Sequence, residues 1–334
     1  MSNFRTFYAC QALAFSPEST HNYLPARGVQ SVGVNTNFEL DSLFELGMVQ
    51  VYQQLEKEPN VEVTAEKLLD GHPLLWHQAT QGAASASLVG RSTRKCNLLV
   101  SVFPDTQEAA SGTPVAQCLL SGFFGSQLSY RFQVDGPFTE QLTLVGNSKE
   151  WDYTAPYLWS GTFTTTGVPL AAEGVNFRQH FNMGLSRFPT DVQGISASGT
   201  NDKTGDIFGA HLQTVTVSSS FGRDNLFELG RKGPYFRFVA FPVEVSCEIS
   251  ITATAGDNVN AQAEATNLTN QTIYLATQEG TKIDLGQKNK LMSVTMQGGN
   301  AGQGGGNVTV TYNYRTFNDM TVTHPRDPTT ALAA

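Results

Sequence analysis

Alternation of apolar and polar residues predicts a chain built mainly of β-strands. In the segment 29–38, Val32 and Val34 alternate with Ser31 and Asn35, and this two-residue period is typical of a strand with one buried face. The same pattern predicts further strands at 48–57, 60–68, 96–103, 116–120, 128–134 and 138–145, and residues 151–166 close the first half. In the second half it predicts strands at 212–221, 235–241, 243–254, 272–276, 290–295 and 307–314.

Turn residues divide these strands into two long hairpins. Glu58-Pro59-Asn60 predicts a turn between 48–57 and 60–68, and Pro242 predicts one between 235–241 and 243–254. Pro73 suits the first turn of a short helix that continues through Leu74 to His77. The small, polar segment 81–92 is interpreted as a loop.

One motif occurs twice in the chain. The sequence Phe38 to Gly47 recurs, with several identities, as Phe221 to Gly230. We call the difference in residue number between Phe38 and Phe221 the repeat offset. The same offset relates Pro59 to Pro242, and after these prolines the alignment slips by one residue. An offset of this size is the length of a whole domain and is too long for a solenoid repeat. We therefore predict two related domains in tandem.

The repeated motif is interpreted as a structural corner. Asp41 is expected to cap a short helical turn, Gly47 to end it, and the apolar residues between them to face inward. The corner comprises Leu43, Phe44, Leu46 and Gly47 in the first copy and Leu226, Phe227, Leu229 and Gly230 in the second. Leu46→Asp is then expected to block soluble folding, because it would bury an unpaired charge.

Domain limits follow from the repeat and from shifts in composition. An irregular N-terminal arm is predicted at 1–28, and a flexible tail at 324–334. The first domain is placed at 29–166, a linker rich in Gly, Ser, Thr and Asn at 167–206, and the second domain at 207–323. The second copy has no counterpart of the Leu-Leu-Trp helix.

Composition and charge narrow the class of protein. Charged residues make up 15% of the chain, against about 25% in a typical globular protein. The net charge of −8 argues against a protein that grips nucleic acid, although an acidic surface could repel it. Cys10, Cys96, Cys118 and Cys247 form no C-x-x-C pair, which predicts buried free thiols and folding in a reducing cytosol. No signal peptide or membrane span is predicted.

No constellation for catalysis or metal binding stands out. His72 and His77 are five residues apart, which does not place them on one helical face, and the Gly-rich loop Gly298–Gly306 lacks the ending of a phosphate-binding loop. We expect no enzyme activity, no metal and no cofactor. Carboxylates do cluster on the predicted hairpins, where they form either a solvated strand face or a surface with a function. They are Glu56, Glu58, Glu62, Glu66, Glu244 and Glu248.

The chain resembles the tail tube proteins of tailed bacteriophages. The resemblance lies in Val29–Val34, in the corner Leu43–Gly47, in the hairpin from Tyr52 to Gly71, and in Tyr130–Trp151. It is best over 29–151 and is weaker over 212–315.

The resemblance implies tandem β-sandwich domains with a small helix, joined edge to edge into a ring. It implies stacked rings of three chains, each pseudo-hexameric, forming a virion tail tube that conducts the genome during ejection. The hairpins 49–68 and 235–254 would line the lumen with the six carboxylates. Implied partners are further copies of the chain, other tail proteins (tape measure, terminator, distal tail) and passing DNA, with no membrane and with synthesis in the host cytoplasm.

Other classes remain as alternatives. A distal-tail, baseplate or capsid decoration protein would share the fold. A carbohydrate-binding β-sandwich would use aromatic residues such as Trp76, Trp151 and Trp159 as a platform, although these residues also suit a core.

Overall fold

A computed structural model describes residues 5–18, 23–83, 85–105, 113–153, 174–182, 188–194, 210–264, 268–299 and 306–327. The protein is mainly β, as predicted. The strands are β1 Gln11–Pro17, β2 Leu24–Pro25, β3 Val29–Phe44, β4 Val51–Leu68, β5 Lys95–Val102, β6 Ala116–Gln133, β7 Thr139–Gly146, β8 Glu150–Asp152, β9 Phe181–Asn182, β10 Leu212–Ser220, β11 Arg223–Leu226, β12 Phe236–Val239, β13 Glu244–Thr252, β14 Tyr274–Thr277, β15 Lys282–Asp284, β16 Lys290–Gln297, β17 Thr309–Phe317 and β18 Thr321–Thr323. Two α-helices, α1 Leu75–Ala79 and α2 Leu88–Ser92, and two 3-10 turns, Tyr8–Cys10 and Arg178–His180, complete the described elements.

The large sheet contains two four-stranded units with the same strand order. The first unit runs β3-β4-β7-β6 and the second runs β10-β13-β17-β16. In each unit the strands follow the chain in the order first, second, fourth, third. Strand β6 pairs antiparallel with β10 and thereby joins the units edge to edge; we call this contact the central junction.

The two units also match in register. One row of paired residues crosses the first unit through Val32, Ala65, Leu142 and Leu128. The matching row crosses the second unit through Val215, Ile249, Tyr312 and Val294. The bulge between Val29 and Ser31 recurs at the repeat offset, between Leu212 and Thr214. The bulge opposite β7, between Gly125 and Gln127, matches the one opposite β17, between Leu291 and Ser293. Strand order, pairing and irregularities therefore agree in the two units.

The pairing corrects the predicted sequence alignment at one place. Val61 pairs with Thr36, and Val245 pairs with the equivalent Ser219. Val61 therefore corresponds to Val245, whereas the sequence alignment paired it with Val243. The second unit has one more residue than the first at this place, and the similar Val-x-Val patterns of the two segments hide the difference in sequence.

Both predicted hairpins also need correction. Residues 51–68 form the single strand β4, which passes through Pro59 and pairs with β3. In the second unit, β12 and β13 follow each other along the chain and pair with β11 and β10. Proline lacks an amide donor and was read as a turn signal, but the β3–β4 pairing is already irregular there, with a bulge between Phe38 and Leu40.

Several smaller expectations also differ from the structure. The predicted irregular arm contains β1, which pairs with β5 and buries Leu13 and Phe15. The segments 116–120 and 128–134 belong to one strand, β6, and α2 lies within the predicted loop 81–92. The predicted tail begins with buried residues, His324 and Asp327.

One hydrophobic core serves both units. A single cluster of buried side chains contains Val63 and Leu142 from the first unit and Val217 and Ile249 from the second. The small sheet β18-β15-β14-β9 adds residues such as Ile283 to the same cluster. This second sheet over the apolar face agrees with the expected sandwich architecture. Of the predicted linker 167–206, residues 167–173, 183–187 and 195–206 lie outside the described part of the chain.

The predicted helix α1 is confirmed, and Glu140 holds its N-terminus. The Glu140 carboxylate accepts hydrogen bonds from the Leu75 and Trp76 amides at 2.6 and 3.1 Å, and from the Tyr130 hydroxyl at 2.9 Å. Burial raises the pKa of Glu140, and these three donors oppose the rise. The described residues of the second unit form no such helix. There the position that matches Glu140 is occupied by the buried, apolar Val310, which pairs with Ile251.

Candidate functional site: the hairpins and the polar face of the sheet

Two hairpins extend beyond the sheet core at the same end of the molecule. The first is the distal part of β3–β4, and the second is β11–β12. Every neighbouring pair from β3 through β4, β7 and β6 to β10 is antiparallel, so β3 and β10 run in the same direction. Four strand spacings separate them, about 19 Å at the usual distance between strands.

The hairpin ends have the same conformation. Asp41 pairs with Leu55, and Asp224 pairs with Phe238, so that the repeat offset holds on both strands. Gly47 and Gly230 both have φ of +91°, in the region that favours glycine. The Met48 amide donates to the Glu45 carbonyl at 3.2 Å, and the Arg231 amide donates to the Glu228 carbonyl at 3.4 Å. The repeated sequence motif thus forms one repeated local structure.

The corner motif is exposed, which corrects the expected core plug. It forms the end of β3 and a turn without a helix. Leu46 and Leu229 are fully exposed, and the remaining apolar side chains of the motif are also exposed: Leu43, Phe44, Leu226 and Phe227. A short apolar motif at a turn was interpreted as core because burial is the commonest use of such residues. The hairpin carries it beyond the core.

Exposed apolar residues continue along the first hairpin. Met48, Val49, Val51, Tyr52 and Leu55 are all exposed. A contiguous apolar surface of this kind on a protein marks a contact with another molecule. The two hairpin ends are therefore candidate docking surfaces.

The sheet face opposite the core is polar. On β4, Glu62 and Glu66 alternate with buried valine and alanine, and on β13, Glu244 and Glu248 alternate with buried Val245. Neighbouring strands add hydroxyl and amide groups to this face, including Gln127, Ser129, Gln141, Thr143, Thr216, Ser218 and Ser246. One face on the core and one face solvated is the usual arrangement of an antiparallel sheet.

Two arginines partly offset the charge of the carboxylates on the polar face. Arg131 and Arg315 lie in the same rows as the carboxylates, and Arg315 Nε is 2.7 Å from Glu244 Oε1. The acidic character that the sequence suggested is therefore diluted by arginine, serine and threonine. The remaining two candidate carboxylates, Glu56 and Glu58, lie farther out on β4, where the hairpin leaves the sheet.

A cleft of about 400 Å³ lies between the bases of the two hairpins, with Glu58, Arg223 and Arg237 among its lining residues. Burial raises the pKa of Glu58, which Arg237 partly offsets. Burial, together with Arg237, lowers the pKa of Arg223 to about 10. Arg223 donates to the Gly125 carbonyl, and Arg237 donates to Asn147 Oδ1 at 2.8 Å. These cations connect β11 and β12 to the first unit, so the cleft is held by structural contacts.

The predicted state of the cysteines is confirmed: all four are free and buried. Burial raises the pKa of Cys118 to about 11 and that of Cys247 to about 12. Across the described ranges, no group of three His, Cys, Asp or Glu residues could hold a metal ion. No helix in that part of the chain is long and apolar enough to cross a membrane.

Comparisons with known proteins gave structural similarity to part of the chain. No protein-family model and no curated protein sequence matches the chain. A chain of the 6-fold symmetrised baseplate of the anti-feeding prophage is similar to 45% of this chain, over 97% of its own length, with 16% identity and a TM-score of 0.33. A chain of the tube-terminating cap of the same prophage is similar to 46% of this chain, over 95% of its own length, with 12% identity and a TM-score of 0.34. Similarity at this level does not assign a function.

Proposed function

We propose that this chain is a structural subunit of a bacteriophage tail, a tail tube protein that assembles with further copies into stacked rings. The observation that carries the proposal is the repeated four-stranded unit. Two units with equal strand order join edge to edge inside one chain, which is the geometry that a ring of such units requires.

The proposed ring contains three chains. Each chain supplies two units, so three chains would supply six in a pseudo-hexameric arrangement. The sequence resemblance to tail tube proteins supports this number. Matching registers and bulges support treating the two units as related domains that arose by duplication.

The polar face of β4 and β13 is proposed to line the lumen. Its serine, threonine and glutamine side chains would interact with passing DNA through water, and its carboxylates would repel phosphate. A wall of lysine and arginine would instead bind DNA through release of counterions. The role proposed is structural, with no catalysis and no cofactor.

The hairpin ends are proposed to contact neighbouring subunits or rings. Leu46 and Leu229 present apolar side chains to solvent in the isolated chain, and a neighbour would cover them in the assembly. Other tail proteins are the remaining proposed partners, and the particle would form in the host cytoplasm before residing in the virion.

Solution mass and negative-stain microscopy of the purified protein test this function. The proposal predicts rings or tubes built from three chains. A chain that remains monomeric in solution at high concentration, and that forms neither rings nor tubes when a preformed tube end is supplied, would overturn it.

A further inference from the structure

The central junction defines how one unit binds the next. β6 pairs with β10 from Gln127 opposite Ser220 to Gln133 opposite Thr214. Tyr130 and Val217 face each other in this pairing, and both are 0% exposed. The Phe221 amide extends the ladder by donating to the Ser126 carbonyl at 2.8 Å.

The two outer strands of the paired units have free edges. In the part of the chain that the structure describes, β3 pairs with β4 alone and β16 pairs with β17 alone. By strand order, β3 is the counterpart of β10, and β16 is the counterpart of β6. We propose that β16 of one copy pairs antiparallel with β3 of the next copy, in the register of the central junction. This inference rests on the proposed self-assembly.

The matched rows of the two units fix the register. Val217 corresponds to Val34 through the repeat offset. Tyr130 corresponds to Met296, because Tyr130 pairs with Glu140 and Met296 with the equivalent Val310. Met296 of one copy then faces Val34 of the next copy.

Exposure of these residues supports the register. Met296 is 50% exposed and Val34 is 36% exposed, whereas their counterparts at the central junction are fully buried. Apolar side chains thus occupy both positions that the proposed contact would cover. Removing this apolar area from water would favour association.

A second apolar pair lies farther along the same edges. Phe38 corresponds to Phe221, and Met292, in the bulge of β16, corresponds to Ser126 in the bulge of β6. Phe38 is 69% exposed and Met292 is 54% exposed. The junction geometry predicts that the Phe38 amide donates to the Met292 carbonyl of the neighbouring copy, as the Phe221 amide donates to Ser126.

Neither edge carries the features that usually prevent pairing. Lysine, other charged residues and proline on an edge strand discourage unwanted strand addition. The segments 29–38 and 291–299 contain no charged residue and no proline. Two long, unprotected edge strands at opposite edges of the paired units form a heterologous interface. Such an interface closes into a ring when the rotation between successive copies fits.

Cysteine cross-linking tests the register. Asn35→Cys and Thr295→Cys together place thiols at directly opposed, exposed positions. Asn35 corresponds to Ser218 and Thr295 corresponds to Ser129, and Ser218 pairs with Ser129 at the central junction. The Cα atoms of directly opposed residues in an antiparallel pair lie about 4.5–5.5 Å apart, within the Cα–Cα range of a disulfide. The native cysteines are all buried and give little background.

Matched variants define the controls. Ser31→Cys with Thr295→Cys is shifted by four residues, about 13 Å along the strand, and should not cross-link. Ser129→Cys with Ser218→Cys should form a disulfide within one chain and report correct folding. Mild oxidation followed by a non-reducing gel separates these cases.

The inference predicts a ladder of covalent dimers and trimers for the Asn35→Cys/Thr295→Cys variant alone. Rings or tubes that assemble without this cross-link, or that form it equally in the shifted variant, would overturn the register and leave the proposed function standing. If the Asn35→Cys/Thr295→Cys variant does not cross-link, and both this variant and the unmodified chain remain monomeric by mass, the register and the proposed function are both overturned.

Discussion

The indole of Trp76 stacks on the ring of Phe221, with 5.3 Å between the ring centroids and 5° between the ring planes. Trp76 belongs to α1 in the first unit, and Phe221 follows β10 in the second unit. The contact therefore fastens the two units next to the central junction. Phe38, the counterpart of Phe221, is largely exposed in the isolated chain.

Phe221→Ala should lower the free energy of unfolding by about 3–5 kcal/mol, because it removes a buried aromatic ring and leaves a cavity beside Trp76. Chemical denaturation followed by circular dichroism measures the change. Phe38→Ala is the matched control and should change the stability of the monomer by less than about 0.5 kcal/mol. Equal losses from the two substitutions would contradict the different burial of these rings.

Glu140→Ala should destabilise the start of α1. The substitution leaves the Leu75 and Trp76 amides and the Tyr130 hydroxyl without their acceptor, at a cost of at least about 3 kcal/mol. Glu140→Gln keeps one acceptor and should cost less. Hydrogen exchange at the Leu75 and Trp76 amides measures the effect directly, and unchanged protection in Glu140→Ala would show that the carboxylate does not hold the helix.

Leu46→Asp should leave folding intact and impair assembly. Because Leu46 is fully exposed, its replacement should change the free energy of unfolding by less than about 0.5 kcal/mol. Leu229→Asp tests the equivalent position. Leu13→Asp, at a buried site in β1, should yield insoluble protein. Normal assembly of both tip variants, measured by sedimentation, would show that the hairpin ends make no essential contact.

Acid should destabilise the folded chain through two buried histidines. Burial, together with Arg91, lowers the pKa of His77 to about 4, although Asp327 opposes the shift. Burial, together with His77, lowers the pKa of His324 to about 3. The unfolded chain, with histidine pKa values near 6.5, then binds more protons than the folded chain below this pH. Stability is therefore complete above pH 6.5 and falls as the pH drops towards 4.

Between pH 7 and pH 5, each histidine should contribute a loss of about 2 kcal/mol in the free energy of unfolding. Denaturation curves at the two pH values measure this loss. A His77→Gln/His324→Gln variant that still folds should lose the part of the dependence that arises from these groups. An unchanged pH dependence in that variant would assign acid sensitivity to other residues.

Local patterns in the sequence predicted local structure well. Pro73 and the apolar residues after it marked α1, and alternation marked most strands. The repeated motif predicted one local structure that occurs twice, and Gly47 and Gly230 do share one conformation, although the motif was expected in the core and not at the end of a hairpin. Scattered cysteines without metal-ligand spacing predicted buried thiols, and the structure agrees.

Long-range pairing could not be predicted from the same patterns. Proline usually ends a strand, yet β4 continues through Pro59. The sequence therefore predicted that 48–57 pairs with 60–68, whereas both segments belong to β4 and pair with β3. The apolar residues around Leu46 look the same in sequence whether they face a core or solvent. The equivalence of Tyr130 and Met296 appears only when the registers of the strands are compared, because the residues around them share no motif.

A density map of the assembled particle tests the central claim most directly. The account predicts rings in which β16 of each chain pairs with β3 of the next chain, and in which Glu66 and Glu248 face the lumen. Rings joined through other strands, or a map with this polar face on the outer surface, would contradict it.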